Sequence, residues 1–167
     1  MKITVIYKSG TGFTAKYAEW IAEELGCDVK ELRKTNINQL KEYDLVIYGG
    51  WIFAGMVSGY SKIKNMRPGN LVVFGVGMTP AGQDNTSRII EQNGLDPEKF
   101  FYFEGGYRPE KVGFIKRKMM NIIKKSIQNK EEKTKEDLYM LEKFEGAENT
   151  DKEAIRPLIN YAKGVQK

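Results

Sequence analysis

The sequence predicts a doubly wound α/β domain: a five-stranded parallel sheet with helices on both faces and a further helical segment after the fifth strand. Three observations carry this. Short β-branched and aromatic runs alternate with segments of helical periodicity. Two of the runs, Leu45 to Tyr48 and Leu71 to Phe74, are apolar without alternation, as strands buried on both faces are. The segments that follow the first, third and fourth runs are rich in glycine or hydroxyl residues, where an open parallel sheet binds its ligand.

Ile3, Val5 and Tyr7 mark the first strand. After a turn-rich KSGTG segment, Tyr17, Trp20, Ile21, Ala22 and Leu25 follow at helical spacing, with Gly26 as a C-terminal stop. Val29 to Leu32 reads as the second strand, and Ile37 and Leu40 as a short connecting helix. The third strand ends at Gly49 and Gly50, and the fourth at Gly75 and Gly77. Helices are predicted near Ser58 to Asn65 and Asn85 to Gln92, before a fifth strand at Phe100 to Phe103. Beyond it, Ile115, Met119, Ile122, Ile123 and Ile127 share one helical face. A short helix is predicted at Glu136 to Lys143. The last is expected to open with a Thr150–Glu153 capping box, or nearer Ile155 because of Pro157.

The 167 residues suit one domain, 1–167, with no repeat and no linker. Hydrophobic residues make up 41% and charged residues 29%, an ordinary globular balance. No apolar run reaches membrane-spanning length, and the N-terminus lacks a signal-peptide pattern, so a cytoplasmic protein is expected. With no histidine and the single Cys27, Ser-His-Asp and Cys-His catalysis, His-ligated metals and an internal disulfide are excluded. A borrowed cofactor is then the expected carrier of chemistry, and no catalytic side chain is assigned.

The first glycine-rich segment, Ser9, Gly10, Thr11, Gly12, Phe13 and Thr14, joins strand one to helix one. Its glycines let backbone N–H groups approach a ligand, its hydroxyls donate, and the helix start adds free amides and partial positive charge. This is a phosphate cradle, though neither a Walker loop nor a Rossmann fingerprint. A plain turn with Thr11 or Thr14 as helix cap is the structural alternative. The second segment, Gly50, Trp51, Ile52, Phe53, Ala54 and Gly55, offers aromatic faces for a flat ring and backbone for its polar edge. The third, Gly77, Met78, Thr79, Pro80 and Gly82, would flank the same ligand, or simply enter a helix capped by Asp84 or Asn85.

The order YKSGTGFT, YDLVIYGGWIFAG, LVVFGVGMTP resembles the flavodoxin superfamily across nearly the whole chain. Ser9, Thr11, Gly12 and Thr14 match its S/T-x-T-G-x-T phosphate loop. FTAKYAEWIAEELG and FEGGYRPEKVGFIKRKMM look like the branch related to flavodoxin-type protoporphyrinogen oxidases. The resemblance implies a flavodoxin-like strand order 2-1-3-4-5. It also implies FMN, with its phosphate in the first loop and its ring between the second and third. Phe13 and Lys8 depart from the usual loop, and the third loop lacks the acidic and tyrosine pattern of electron-carrier flavodoxins.

Net charge is +5, and eight Lys/Arg against Glu110 alone lie between Arg108 and Lys130. One reading is a helix packed on the sheet with a solvated basic face. The other is a docking surface for anionic lipid or an acidic partner, through Lys116, Arg117, Lys118, Lys124 and Lys125. The expected function is FMN-dependent electron transfer, with a redox protein or small redox substrate as partner and a homodimer as one possible assembly. The alternative is an oxidase of porphyrinogen-like or quinone substrates, with Arg108, Lys116 or Arg117 attracting substrate carboxylates. A response regulator needs carboxylates where Tyr7-Lys8 and Tyr48-Gly49 stand. A nucleic-acid binder finds no motif to support it.

Overall fold

The computed structural model describes residues 1–80 and 82–165, apart from the side chains of Gln83 and Asp84. The parallel strands are β1 (Ile3–Lys8), β2 (Asp28–Glu31), β3 (Leu45–Phe53), β5 (Leu71–Gly77) and β6 (Phe100–Glu104). A short strand β4 (Met56–Val57) folds back antiparallel on the end of β3. Spatial order is β2-β1-β3-β5-β6, so the parallel strands keep the expected order once the hairpin strand is counted. The order reverses at β1, whose two neighbours are β2 and β3.

The continuous apolar runs are buried on both faces because helices cover both. On one face α1 (Phe13–Leu25) and α6 (Arg156–Gly164) bring Tyr17, Ile21, Leu158 and Ile159 against Val5, Ile47, Val72 and Phe74. On the other, α2 (Tyr60–Met66) and α3 (Gln83–Asn93) bring Ile63 and Ile89 against Ile6, Val46, Tyr48 and Val73. Each such aliphatic side chain contributes about 1.5–3 kcal/mol of burial. Tyr17 also closes the top of its face: its hydroxyl donates to the Glu104 carbonyl at 2.6 Å and accepts from Asp151 N–H at 3.0 Å.

The third strand does not stop at its glycine pair. It pairs on both sides through Gly50, with Lys8 on one edge and Gly75 on the other, and runs on to Phe53. Gly49 is small for a packing reason: a Cβ there would meet the Phe74 ring. The fourth strand ends at Gly77, as expected. The second segment of the predicted site is therefore a hairpin, not a loop. Ala54 (φ 50°) and Gly55 (φ 79°) both turn left-handed at its tip, the geometry of a tight hairpin turn. Asn93 at the end of α3 holds it: its Oδ1 accepts from Val57 N–H at 3.0 Å, and its Nδ2 donates to the Gly55 and Ile89 carbonyls, each at 2.8 Å.

Three further expectations are corrected. Thr150 does not cap the last helix. Its hydroxyl accepts from Lys16 Nζ at 2.9 Å, and a 3-10 turn at Glu153–Ile155 leads into α6, with Pro157 in the first turn where a missing N–H costs little. The second strand ends one residue earlier, Leu32 starting a 3-10 turn. The segment after β6 is not a helix laid on the sheet. It opens with β7 (Gly106–Tyr107), which pairs antiparallel with β8 (Ala147–Glu148), and between them lie α4 (Phe114–Gln128) and α5 (Lys135–Lys143). Met120 and Ile127 of α4 join Tyr107, Val112 and Phe144 in a separate small core, while the other members of its predicted apolar face stay exposed. A capping box that the sequence reading did not include opens α5, Thr134 Oγ1 accepting from Asp137 N–H at 3.1 Å and Asp137 Oδ2 from Thr134 N–H at 3.0 Å.

Candidate functional site

β1 delivers the chain to the carboxyl edge of the sheet at Lys8, and four residues turn it into α1. Gly12 caps α1 at φ 102°, a left-handed conformation that disfavours any side chain. Its N–H donates to Ser9 Oγ at 3.1 Å, so Ser9 holds the turn together rather than facing the cleft. Neither Thr11 nor Thr14 caps the helix. The first helical donor is Lys16 N–H, to the Gly12 carbonyl at 3.0 Å; the amides of Phe13, Thr14 and Ala15 open the helix without an intrahelical partner. Such an end is a ready anion site.

A fourth element, which the sequence did not reveal, closes on this loop. Arg108, just after β7, donates Nη1 to the Thr11 carbonyl at 3.1 Å and Nη2 to Glu148 Oε2 at 2.6 Å. Its guanidinium lies 4.4 Å from the buried Phe13 ring, so Phe13 serves as a platform while its amide faces the helix end. Lys16 reaches the other Glu148 oxygen. The Lys16 ammonium first, and then Arg108, hold the Glu148 carboxyl down at about 2. A carboxylate lowered in the folded state adds stability above its ordinary value near 4.5 and loses it as pH falls towards 2. Glu148 is 41% exposed, so the effect is small. The melting temperature is expected to fall less between pH 4.5 and 2 in Glu148→Gln than in the parent; parallel curves would refute the tie.

Trp51 and Phe53 stand two residues apart on β3, hence on one face, with ring centroids 5.7 Å apart. Trp51 Nε1 comes within 3.8 Å of where a Cβ on Gly10 would lie, so the first loop and the hairpin meet there. From above, Lys116 Nζ of α4 sits 4.3 Å from the Trp51 ring. Gly77 and Met78 continue the wall from β5. Thr79 is tied elsewhere: Tyr102 donates its hydroxyl to the Thr79 carbonyl at 2.8 Å, and Asn85 donates to Thr79 Oγ1 at 2.9 Å. Burial, first, pushes the Tyr102 hydroxyl up, keeping it a donor. α3 starts from Gly82 without a side-chain cap from Asn85; the Asp84 side chain lies outside the described residues.

These walls bound a cleft of about 750 Å3 free of protein atoms, a volume that includes open solvent at its mouth. Of the predicted residues, Gly10, Thr11, Phe13, Thr14, Trp51, Ile52, Phe53, Gly77 and Met78 line it. Ser9, Gly12, Gly50, Ala54, Gly55, Thr79, Pro80 and Gly82 shape the segments without lining it. Gly50 packs under the returning hairpin, where a Cβ would meet the Ser58 carbonyl at 2.6 Å. Sequence reasoning missed Tyr107, Lys111, Val112 and Met120, which form the fourth wall. Only the amphipathic run that became α4 hinted at them. Of the three cations proposed to draw in a substrate, Lys116 alone lines the cleft; Arg108 holds Thr11, and Arg117 donates to the Val112 carbonyl at 3.1 Å. Cys27 stands away from the site, and burial first, then Asp28, pushes its thiol up to about 11. It stays protonated at neutral pH.

A flavodoxin-domain family model matches residues 4–135, from β1 into the first turn of α5. The chain belongs to the flavodoxin-domain family. This flavodoxin domain also resembles a solved flavodoxin from the domain Archaea, at 16% identity, full coverage of both chains and a TM-score of 0.51, a likeness of fold. Oxidised flavodoxin 2 from Bacillus cereus matches at 18% identity over 62% of this chain and 84% of its own, with a TM-score of 0.45. Rubredoxin oxygen:oxidoreductase from Desulfovibrio gigas matches at 19% identity over 99% of this chain, but only 37% of its own, with a TM-score of 0.46. A search of curated proteins finds no match.

Proposed function

We propose that this flavodoxin domain binds FMN non-covalently in the cleft and serves as an electron-transfer protein or oxidoreductase. The observation that carries the reading is the meeting of two unlike surfaces in one cleft. One end is polar: the opening amides of α1, Thr11 and Thr14. The other is apolar and aromatic: Trp51, Phe53, Met78 and Tyr107. A phosphate at one end of a molecule and a flat ring at the other match this division. Bound flavin would supply one- and two-electron chemistry.

The chain's own residues have separable tasks in this reading. The α1 amides hold negative charge at the loop, and Arg108 braces that loop through the Thr11 carbonyl. Trp51, Phe53 and Met78 orient a ring and exclude water from one side. Lys111 and Lys116 place positive charge on the rim of an otherwise apolar cleft, which favours any electron-rich group within it. That rim is also what an oxidase of flat, anionic substrates would use, the second reading. Steady turnover of a porphyrinogen or quinone would favour the oxidase; rapid reduction by a partner reductase without such turnover would favour the carrier.

Purified protein is expected to be yellow and, on denaturation, to release a chromophore that runs with FMN rather than FAD. Colourless protein that takes up no FMN in a fluorescence titration would overturn the assignment.

A further inference from the structure

We propose that α4 docks the protein on an anionic membrane surface, lying in the headgroup plane beside the cleft. α4 uses only one side for internal packing, that of Met120 and Ile127. A second apolar set remains in solvent: Phe114 is 81% exposed, Ile115 75%, Ile122 60%, Met119 42% and Ile123 39%. Ile115, Met119, Ile122 and Ile123 follow i, i+4, i+7, i+8 spacing and so form one outward strip, with Phe114 at its leading end. Scattered exposed hydrophobes need no explanation, but five on one helix form a patch that does.

The charge around the strip selects the occupant. Lys111, Lys116, Arg117, Lys118, Lys124, Lys125 and Lys130 fall between positions 111 and 130, with no Asp or Glu among them. Lys124 is paired with Glu145 and Lys130 with Asp137. Lys118 and Lys125 have no ion-pair partner among the described residues and border the strip at i+3 from Ile115 and Ile122. An apolar strip edged by free lysines is the pattern of an interfacial helix. A second copy of this chain would bring like charge against like charge along the same strip. No helix among the described residues is long and apolar enough to cross a membrane, so the contact would be peripheral. Lys116 and Met120 of the same helix line the cleft, so docking would hold its rim at the bilayer surface. This proposal is independent of the FMN assignment.

Co-sedimentation of the full chain with vesicles tests it. Binding to phosphatidylcholine vesicles containing about 30% phosphatidylglycerol is expected to be at least tenfold tighter than to phosphatidylcholine alone, and to weaken with salt. The pairs Ile115→Glu with Ile122→Glu, and Lys118→Glu with Lys125→Glu, are each expected to lower binding at least about tenfold with little change in melting temperature. Wild-type protein left in the supernatant with anionic vesicles would overturn the proposal. So would anionic-vesicle binding indifferent to the isoleucine pair. A wild-type dimer that the isoleucine pair converts to monomer would assign the strip to a second copy instead.

Discussion

Thr11→Glu is expected to lower FMN affinity at least a hundredfold. Thr11 lies between Gly10 and Gly12 and lines the cleft beside the free amides of α1. A carboxylate about 4 Å from a phosphate group repels it by about 4 kcal/mol at an effective dielectric constant of about 20. Arg108 adds to the effect. Its guanidinium is already bonded to the Thr11 carbonyl and to Glu148, and a new carboxylate at position 11 would compete for the same cation. Thr11→Ser keeps the hydroxyl and adds no charge, and is expected to bind as the parent does. Flavin fluorescence titration measures both, with circular dichroism as the folding control. Unchanged affinity in the glutamate variant would remove the phosphate from this loop.

The second large effect is on stability. Asn93→Ala is expected to cost about 2–4 kcal/mol, because one buried amide serves three backbone groups and each unmet buried partner costs about 1–3 kcal/mol. For a chain of this size the melting temperature would fall by about 4–16 °C. The loss is directed, since two of the three bonds hold the β3–β4 hairpin. Its turn includes Ala54 at φ 50°, a conformation costing a non-glycine residue about 1–2 kcal/mol. Once unclamped, the hairpin that carries Trp51 and Phe53 is expected to loosen, and flavin affinity to drop with it. A variant with parental melting temperature and affinity would show the clamp to be dispensable.

The sheet was legible in the residues because its signal is local and redundant. Leu45 to Tyr48 and Leu71 to Phe74 can hardly be anything but strands buried on both faces, and Gly26 stops α1 as read, at φ 60°. The third strand's glycine pair misled for a physical reason. Gly49 and Gly50 look like punctuation, yet they are small to admit the Phe74 ring and the returning hairpin. The first loop's turn and its place at the cleft were readable because they depend on backbone freedom, which glycine spacing announces. The fourth wall was not. Tyr107, Val112 and Met120 reach the cleft through a two-residue strand pairing with Ala147 and Glu148, and nothing local encodes a partner some forty residues away. The apolar face of α4 was rightly seen as amphipathic, but periodicity cannot say which side faces in. Here two residues outside the sheet's core set the inner side, leaving most of the strip outside.

The tie among Lys16, Arg108 and Glu148 has a temporal consequence. One partner belongs to the first helix and another to a strand 132 residues later. Contacts of such separation form late, after the local helices and the central strand pairs. A nascent chain would thus carry a finished sheet edge with an unwalled cleft until position 148 had been made and docked. On the proposed FMN reading, cofactor uptake would be a late event in the life of each molecule, and its arrival would report that the chain's two distant stretches have found each other.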